Sequence, residues 1–424
     1  MKAAKIFIST FGCSLNQADG QAMSAMIENA GFSLVDTAAD ADLIIINSCS
    51  VKDKTILNFR KTLRKIPKKP TIITGCIPEA EPNRDDLKEL SLVGTEHISD
   101  IVDVIKKTLL GKRIVLLGKN DEDRVSFEQK RTNPYIEIVP ISKGCIGNCA
   151  YCQTKLARRD LVSYSKEKIL KRISNAVKDG VNQIWLTSQD CSVYGLDIGN
   201  DNIFSLLRDA VALPGDFILR LGMSNPKHLH ENLKELVGIF DSKKLYKFIH
   251  IPIQSGSNNV LKIMRRKYTV KTFEEIVAAF RKKHPDITIA TDIIIGHPGE
   301  TDEDFQKTIS LIKKLKLDVV NISKYSPRPG TDSAKMEQIE KSIIQHRMKS
   351  LKSTLKEILE NNNSKYVGWK GDVIVESQKR KGSAVCRNFA YRPVIIPIDI
   401  LLDQKLHIEV VGYTTYHLKG RILK

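Results

Sequence analysis

The chain has 424 residues, 42% of them hydrophobic and 27% charged, which describes a soluble globular protein too long for one ordinary core and predicts two to three domains. No apolar run can span a bilayer, and the start Met1–Ile8 is too short an apolar stretch for a signal peptide, so a cytoplasmic protein with no membrane partner is expected. The net charge of +18 favours a polyanionic partner such as nucleic acid, and the last roughly sixty residues are the most basic for their length.

The first segment, residues 1–117, alternates strand and helix patterns. Short apolar runs at Lys5–Ser9, Leu43–Asn47 and Thr71–Thr74 read as buried parallel strands. Helical stretches at Asp19–Ala30 and Thr55–Lys65 lie between them, giving an open α/β sheet. The polar stretch from Gly118 to Pro134 reads as a linker.

The second segment, 131–361, repeats a strand-then-helix unit six times. Its strands are Tyr135–Ser142, Gln183–Ser188, Phe217–Met223, Phe248–Gln254, Ile287–Ile295 and Val319–Tyr325. Helical patterns such as Ser165–Lys178, Thr272–Lys282 and Asp302–Lys314 alternate with them. Six units predict a partial TIM-like barrel, with its active site at the carboxyl ends of the strands. A basic helical stretch, Glu337–Asn361, leads out of it. The third segment, 362–424, reads as a small β-barrel with strands at Asp372–Glu376, Ala384–Phe389, Arg392–Ile396, Leu406–Val411 and Tyr416–Ile422.

Eight cysteines in such a chain favour metal over disulfides. Cys145, Cys149 and Cys152 form a C-x3-C-x2-C run just after the first barrel strand, with Tyr151 before the last cysteine. Three thiolates can hold three corners of a four-iron cube and leave the fourth iron open for chemistry. A zinc knuckle would usually recruit a fourth Cys or His at short spacing, and no His lies nearby. Cys13, Cys49 and Cys76 are far apart, yet each follows an apolar strand by a few residues. If those strands are parallel, the three thiols share one carboxyl edge, where open α/β sheets bind ligands, and Gly12 and Gly75 leave room for a bulky group. Three separate buried thiols are the plainer alternative. Cys191 and Cys386 have no partner at ligand spacing and read as bystanders.

The C-x3-C-x2-C run resembles the signature of radical S-adenosylmethionine (SAM) enzymes. Two triads in this order, with a small basic β-domain behind them, resemble the radical SAM methylthiotransferases over essentially the whole chain. The matching motifs include Thr10–Asn16, Asn47–Val51, Thr74–Cys76, Leu186–Asp190, Arg220–Pro226, His250–Ser257, Thr291–Thr301 and Tyr325–Thr331. The tail resembles a TRAM domain, a small RNA-binding barrel. Cys-Ser-Leu-Asn-Gln-Ala-Asp-Gly, Cys-Gln-Thr-Lys-Leu-Ala-Arg, and Leu-Thr-Ser-Gln-Asp with Tyr194-Gly195 after it resemble the archaeal and eukaryotic tRNA branch. That branch adds a methylthio group to C2 of N6-threonylcarbamoyladenosine, next to the anticodon. Arg159 stands where the pattern expects glycine.

The resemblance implies two [4Fe-4S] clusters. Cys145, Cys149 and Cys152 would hold the one that cleaves SAM, and Cys13, Cys49 and Cys76 an auxiliary one that carries the transferred sulfur. Tyr151, Gln189, Arg220, Gln254, Asp292 and Gly296 would line the SAM pocket, with Gly296 and Gly299 letting backbone approach the adenine. The implied partners are a tRNA anticodon stem-loop, an electron donor protein and a sulfur source. Two basic stretches suit RNA phosphates: Arg60, Lys61, Arg64, Lys65, Lys68 and Lys69, and in the tail Lys379, Arg380, Lys381, Arg387 and Arg392 beside Phe389 and Tyr391. The same chemistry on isopentenyladenosine tRNA or on a ribosomal-protein aspartate, and a non-catalytic iron–sulfur RNA-binding sensor, are the rival readings.

Overall fold

The computed structural model describes the whole chain except Met1, Lys2, Lys52, Lys381, Ile400, Leu401, Asp403, Gln404 and Lys424, together with the side chains of Lys379 and Arg380. It opens with a six-stranded parallel sheet. Its strands are β1 (Lys5–Thr10), β2 (Ser33–Leu34), β3 (Leu43–Ser48), β4 (Thr71–Gly75), β5 (Ser91–Val93) and β6 (Val115–Leu116), in the order 2-1-3-4-5-6. The continuous apolar run of β3 is buried on both faces, as a central parallel strand must be. The order reverses between β1 and β3, the switch point at which doubly wound sheets bind ligands.

Six parallel strands follow: β7 (Ile136–Pro140), β10 (Gln183–Thr187), β11 (Ile218–Leu221), β12 (Phe248–His250), β13 (Thr288–Ile295) and β14 (Val319–Lys324). Between β7 and β10 a short antiparallel pair, β8 (Ser142–Lys143) with β9 (Val162–Ser163), brackets the C-x3-C-x2-C loop. The six strands form two ladders, β7-β10-β11 and β12-β13-β14. The seam between them carries one parallel bridge, Leu219 with Leu245. The flanking helices bury a large apolar core against the outer face, with Ile184, Leu219, Ile249 and Ile289 among its fully buried members. This is the expected partial barrel.

The C-terminal part is a closed barrel of β15 (Lys370–Arg380), β16 (Ser383–Arg387), β17 (Pro393–Ile396), β19 (Leu418–Ile422) and β18 (Lys405–Tyr413), joined in that order. It docks at the amino-terminal end of β12. The turn after β16 pushes Tyr391 (φ 57) among Tyr246, Phe248 and Trp185, at ring distances of 4.9, 5.1 and 6.4 Å. The backbone of Lys247 donates to the Phe389 carbonyl at 2.9 Å.

Several sequence expectations shift. The first helix begins at Ser14, immediately after Cys13, rather than at Asp19. The stretch 118–134 is not a loose linker. Glu122, Arg124 and Val125 are buried, and Arg124 donates to Asp19 at 2.7 Å, so ion pairing ties this polar segment down. Tyr391, Arg387 and Arg392 are taken from the RNA-contact set. Arg387 donates to Glu376 at 2.7 Å and lies over the Tyr391 ring, while Arg392 pairs with Asp318 and bonds Asn363 at 3.0 Å. Phe389 keeps partial exposure, and Lys381 with the Lys379 and Arg380 side chains lies outside the described residues. In the first basic stretch Lys69 turns inward to the carbonyls of Ala38, Ala39 and Ala41, whereas Arg60, Lys61, Arg64, Lys65 and Lys68 face solvent. Among the described residues no helix is long and apolar enough to cross a membrane.

Candidate active site

Register brings the dispersed triad together. Thr10 pairs with Asn47 and Asn47 with Thr74, so β1, β3 and β4 end side by side. Cys13, Cys49 and Cys76 follow those ends by three, one and one residues. Cys76 opens the short helix Cys76–Ala80, and Gly75 before it takes φ +91. A side chain there would collide with the Ser48 carbonyl at 2.4 Å, so only glycine lets β4 turn so close to β3.

Asn16 organises the floor. Its amide donates to the carbonyls of Ser48 at 2.8 Å and Phe11 at 3.0 Å, and its oxygen lies 3.7 Å from the Cys76 sulfur. Cys49 and Cys76 are each 3% exposed, while Cys13 is exposed. Burial, and then the charges of Cys76 and Cys13, push the Cys49 thiol up to about 12. Burial also raises Cys76, against the pull of Arg158.

The contiguous triad is held differently. Burial, then Asp190, pushes Cys145 up to about 11, against the backbone N–H of Gly147, which donates to its sulfur at 3.2 Å. Arg266 donates to the Cys149 sulfur at 3.2 Å and to the Tyr268 hydroxyl at 2.8 Å. The Ala150 amide donates to the Met264 carbonyl at 3.1 Å, and Lys155 donates to the Cys145 carbonyl. Burial raises the Cys152 thiol. Gly144 at φ +70 is required because a side chain would meet the Asp160 carbonyl at 1.8 Å.

The two triads meet through two short helices. The helix Thr154–Arg158, directly after Cys152, packs on Cys76–Ala80. Gln153 donates to Glu81 at 2.9 Å, and Thr95 donates to the Ala157 carbonyl at 2.6 Å. Arg158 is 2% exposed and donates to Asn16 at 2.6 Å and Asp19 at 2.7 Å. Arg159 pairs with the buried carboxylate of Glu79 from φ 60, ψ −148, a conformation almost reserved for glycine. The residue that breaks the family pattern therefore keeps the glycine backbone and adds an ion pair.

The expected SAM-pocket residues fall into two depths. Gln189, Gln254 and Gly296 follow the carboxyl ends of β10, β12 and β13. The Gln189 Oε1 is buried without a hydrogen-bond partner, and Gln254 stands at φ 71 with its backbone bonded across to Asp292 and Ile294. Arg220 and Asp292 sit within β11 and β13. Arg220 lies over Trp185, Phe248 and Tyr391 at 5.3, 5.4 and 5.0 Å, and Asp292 meets His250 at 3.0 Å. The Tyr151 ring stands edge-on to His297 at 6.1 Å. Gly296 makes its close approach to Ile344 of the helix Lys341–Ser364, and its N–H donates to Glu300 at 2.9 Å. Cys191 and Cys386 are buried in separate apolar cores.

Among the described residues no three His, Cys, Asp or Glu side chains close on one point as ligands of a single ion do. A four-iron cube takes each thiolate on a different iron, so its ligands stand farther apart than those of a mononuclear site. The donor sets fit such a group: three thiols each, two of the first triad buried, and N–H donors already aimed at sulfur in the second. Loading would displace the thiol protons.

Asn16, Asp19, Arg158 and His297 stand inside the motifs that carry the resemblance but receive no role from the sequence, and Arg266 lies outside those motifs. Arg158 lies six residues past Cys152 and Asn16 three past Cys13, a proximity that could have flagged both. Their contact with each other spans 142 residues and shows only in three dimensions.

Comparison with known proteins fits this geometry. Residues 139–312 match the radical SAM superfamily, and residues 5–93 match the uncharacterized protein family UPF0004. A probable threonylcarbamoyladenosine tRNA methylthiotransferase of Pyrococcus abyssi is 38% identical over 427 residues, covering 99% of both chains. The Homo sapiens threonylcarbamoyladenosine tRNA methylthiotransferase is 36% identical, covering 98% of this chain and 74% of its own. Among solved structures, the radical SAM methyltransferase TsrM of Kitasatospora setae, with cobalamin and a [4Fe-4S] cluster bound, superposes with a TM-score of 0.58 at 14% identity. That match covers 78% of this chain and 77% of TsrM, a likeness of fold. Near-full-length similarity at this level shows that the chain belongs to the threonylcarbamoyladenosine tRNA methylthiotransferase family of radical SAM enzymes.

Proposed function

We propose that this chain adds a methylthio group to C2 of N6-threonylcarbamoyladenosine beside the tRNA anticodon, using SAM and two four-iron clusters. The observation that carries the reading is the packing of the helix after Cys152 on the helix that begins at Cys76, which brings two three-thiol sites to one interface. When bound, one cluster with SAM on its open iron supplies an adenosyl radical, and the other supplies the sulfur to be methylated and transferred.

The residues then divide the work. Cys145, Cys149 and Cys152 hold the first of these groups, and Arg266 fixes Cys149. Gln189, Gln254 and the Tyr151 ring stand at the strand ends where a SAM molecule would lie. Arg220 and Asp292 face it from deeper in the barrel. Cys13, Cys49 and Cys76 hold the second group in a largely buried pocket, which excludes water from a reactive sulfur. The base must be splayed from its stack to reach a site between the two triads. The exposed cations Arg60, Lys61, Arg64, Lys65 and Lys68 are available to the phosphates. An electron donor protein and a sulfur source complete the reaction, in the cytoplasm.

The test is an anaerobic incubation of reconstituted protein, reductant, sulfide and SAM with tRNA carrying threonylcarbamoyladenosine, followed by mass spectrometry of the nucleosides. A gain of one SCH2 unit on that nucleoside is the expected result. SAM cleavage without it would move the substrate to isopentenyladenosine tRNA or a ribosomal-protein aspartate. No SAM cleavage from cluster-loaded protein would leave an RNA-binding sensor.

A further inference from the structure

Arg158 belongs by sequence to the segment that follows the contiguous triad, yet its guanidinium lies in the pocket of the dispersed one. It is 2% exposed. Its Nη2 is committed to Asn16 and Asp19, while its Nη1 is fully buried and makes no well-aligned hydrogen bond among the described residues, although the guanidinium lies within hydrogen-bonding reach of the Cys76 thiol. A buried N–H left unpaired keeps its full desolvation penalty, so it calls for a partner. Asn16, which anchors Nη2, also approaches the Cys76 sulfur at 3.7 Å. The guanidinium is near enough to Cys76 and Cys49 for its charge to act on both. Asp19 is shared with Arg124, and Arg124 also meets Glu122. These two cations and two carboxylates balance each other; the Arg124 Nε is also buried and unpaired, but of the two guanidiniums it is that of Arg158 whose charge acts on Cys76 and Cys49, so its Nη1–H is the group placed to meet an added anion there.

We propose that Arg158 donates its free Nη1–H to a sulfur of the iron–sulfur cluster held by Cys13, Cys49 and Cys76. Three thiolates on an oxidised four-iron cube leave it net anionic, and one-electron reduction adds another negative charge. A cationic donor in a dry pocket stabilises the reduced form more, so it raises the cluster's reduction potential. It also ties the position of that cluster to the loop of Cys145, Cys149 and Cys152, only six residues away. Arg158 is thus a cluster-contacting residue supplied by the other site's chain segment.

This rests on the cluster reading of the first triad, and the experiment separates the two. Protein with Cys145, Cys149 and Cys152 all changed to Ala is reconstituted anaerobically, so that only the first triad can load. Absence of iron there would defeat the cluster reading itself. With iron present, the reduced cluster in protein labelled with 15N-arginine is examined by pulsed electron paramagnetic resonance. A nitrogen coupling that disappears in Arg158→Lys is expected, and an iron-loaded protein without that coupling overturns the proposal. The midpoint potential, read by dithionite titration, should fall in Arg158→Gln and fall less in Arg158→Lys. An unchanged potential in iron-replete Arg158→Gln protein also overturns it.

Discussion

The two cysteine triads solve one problem in opposite ways. Cys13, Cys49 and Cys76 come from three strands, and their geometry is that of the sheet: the pairing of Thr10, Asn47 and Thr74 aligns the strand ends. Cys145, Cys149 and Cys152 come from one short loop, and their geometry depends on contacts from elsewhere, chiefly Arg266 on Cys149 and Met264 on Ala150. A site built on sheet register is as rigid as the sheet. A site built on a loop needs props, and each prop is a point where it can be weakened alone.

The largest expected effects separate the triads outright. Gly75→Ala forces a backbone that costs about 1–3 kcal/mol in dihedral strain, before the collision with Ser48 is counted. It should roughly halve the iron per chain and abolish methylthiolation, while SAM cleavage survives. Gly144→Ala, which collides with the Asp160 carbonyl, should also halve the iron but abolish SAM cleavage. Equal loss of SAM cleavage in both variants would mean that the triads are one unit.

Removing a prop comes next. Arg266→Ala deletes the donor to Cys149 and the cation 4.9 Å from the Tyr268 ring centroid. By analogy with other outer-shell partners it should slow SAM cleavage about 10–100-fold. Iron in the dispersed triad should be unchanged, which metal analysis in a Cys145, Cys149 and Cys152→Ala background would check.

A smaller effect is read with pH. His297 stands between Tyr151 and Tyr325 and bonds Ser333, and burial pulls its pKa down to about 4. The unfolded chain takes up that proton near pH 6.5 while the folded chain does not. The stability this neutral imidazole contributes is therefore complete above pH 6.5 and is lost as pH falls toward 4. Urea melts should show a loss of about 2 kcal/mol between pH 7.5 and 5, a slope reduced in His297→Asn.

The smallest effect concerns Arg159. Both Arg159→Gly and Arg159→Ala lose the ion pair to Glu79, but only the alanine keeps the strained φ of 60°. The glycine variant should be the more stable by about 1 kcal/mol, because its larger unfolded-state entropy offsets part of the relief. A higher thermal midpoint for the alanine variant would show that the backbone there carries no strain.

What was legible in the sequence follows the range of the interactions. Central strands such as β3 are continuous apolar runs, so their place was readable to within a residue. The thiols at the strand ends were readable for the same reason. The extra turn of helix from Ser14 was not, because Asn16 and Asp19 are polar residues buried by partners more than thirty and one hundred residues away. The supposed linker reads as polar for the same cause: Arg124 and Glu122 are charged residues that fold inward as pairs. Tyr391 and Arg387 read as an RNA-stacking patch, because an aromatic beside cations looks alike whether it meets a base or fills the base of a neighbouring barrel.

In the proposed function the two triads hold two clusters with separate tasks. The most direct test is iron content and SAM cleavage in two triple variants, one with Cys13, Cys49 and Cys76 changed to Ala, the other with Cys145, Cys149 and Cys152 changed to Ala. Each should hold about four irons per chain after anaerobic reconstitution, and only the first should release 5′-deoxyadenosine from SAM. An iron-free second variant, or SAM cleavage by it, would contradict the account.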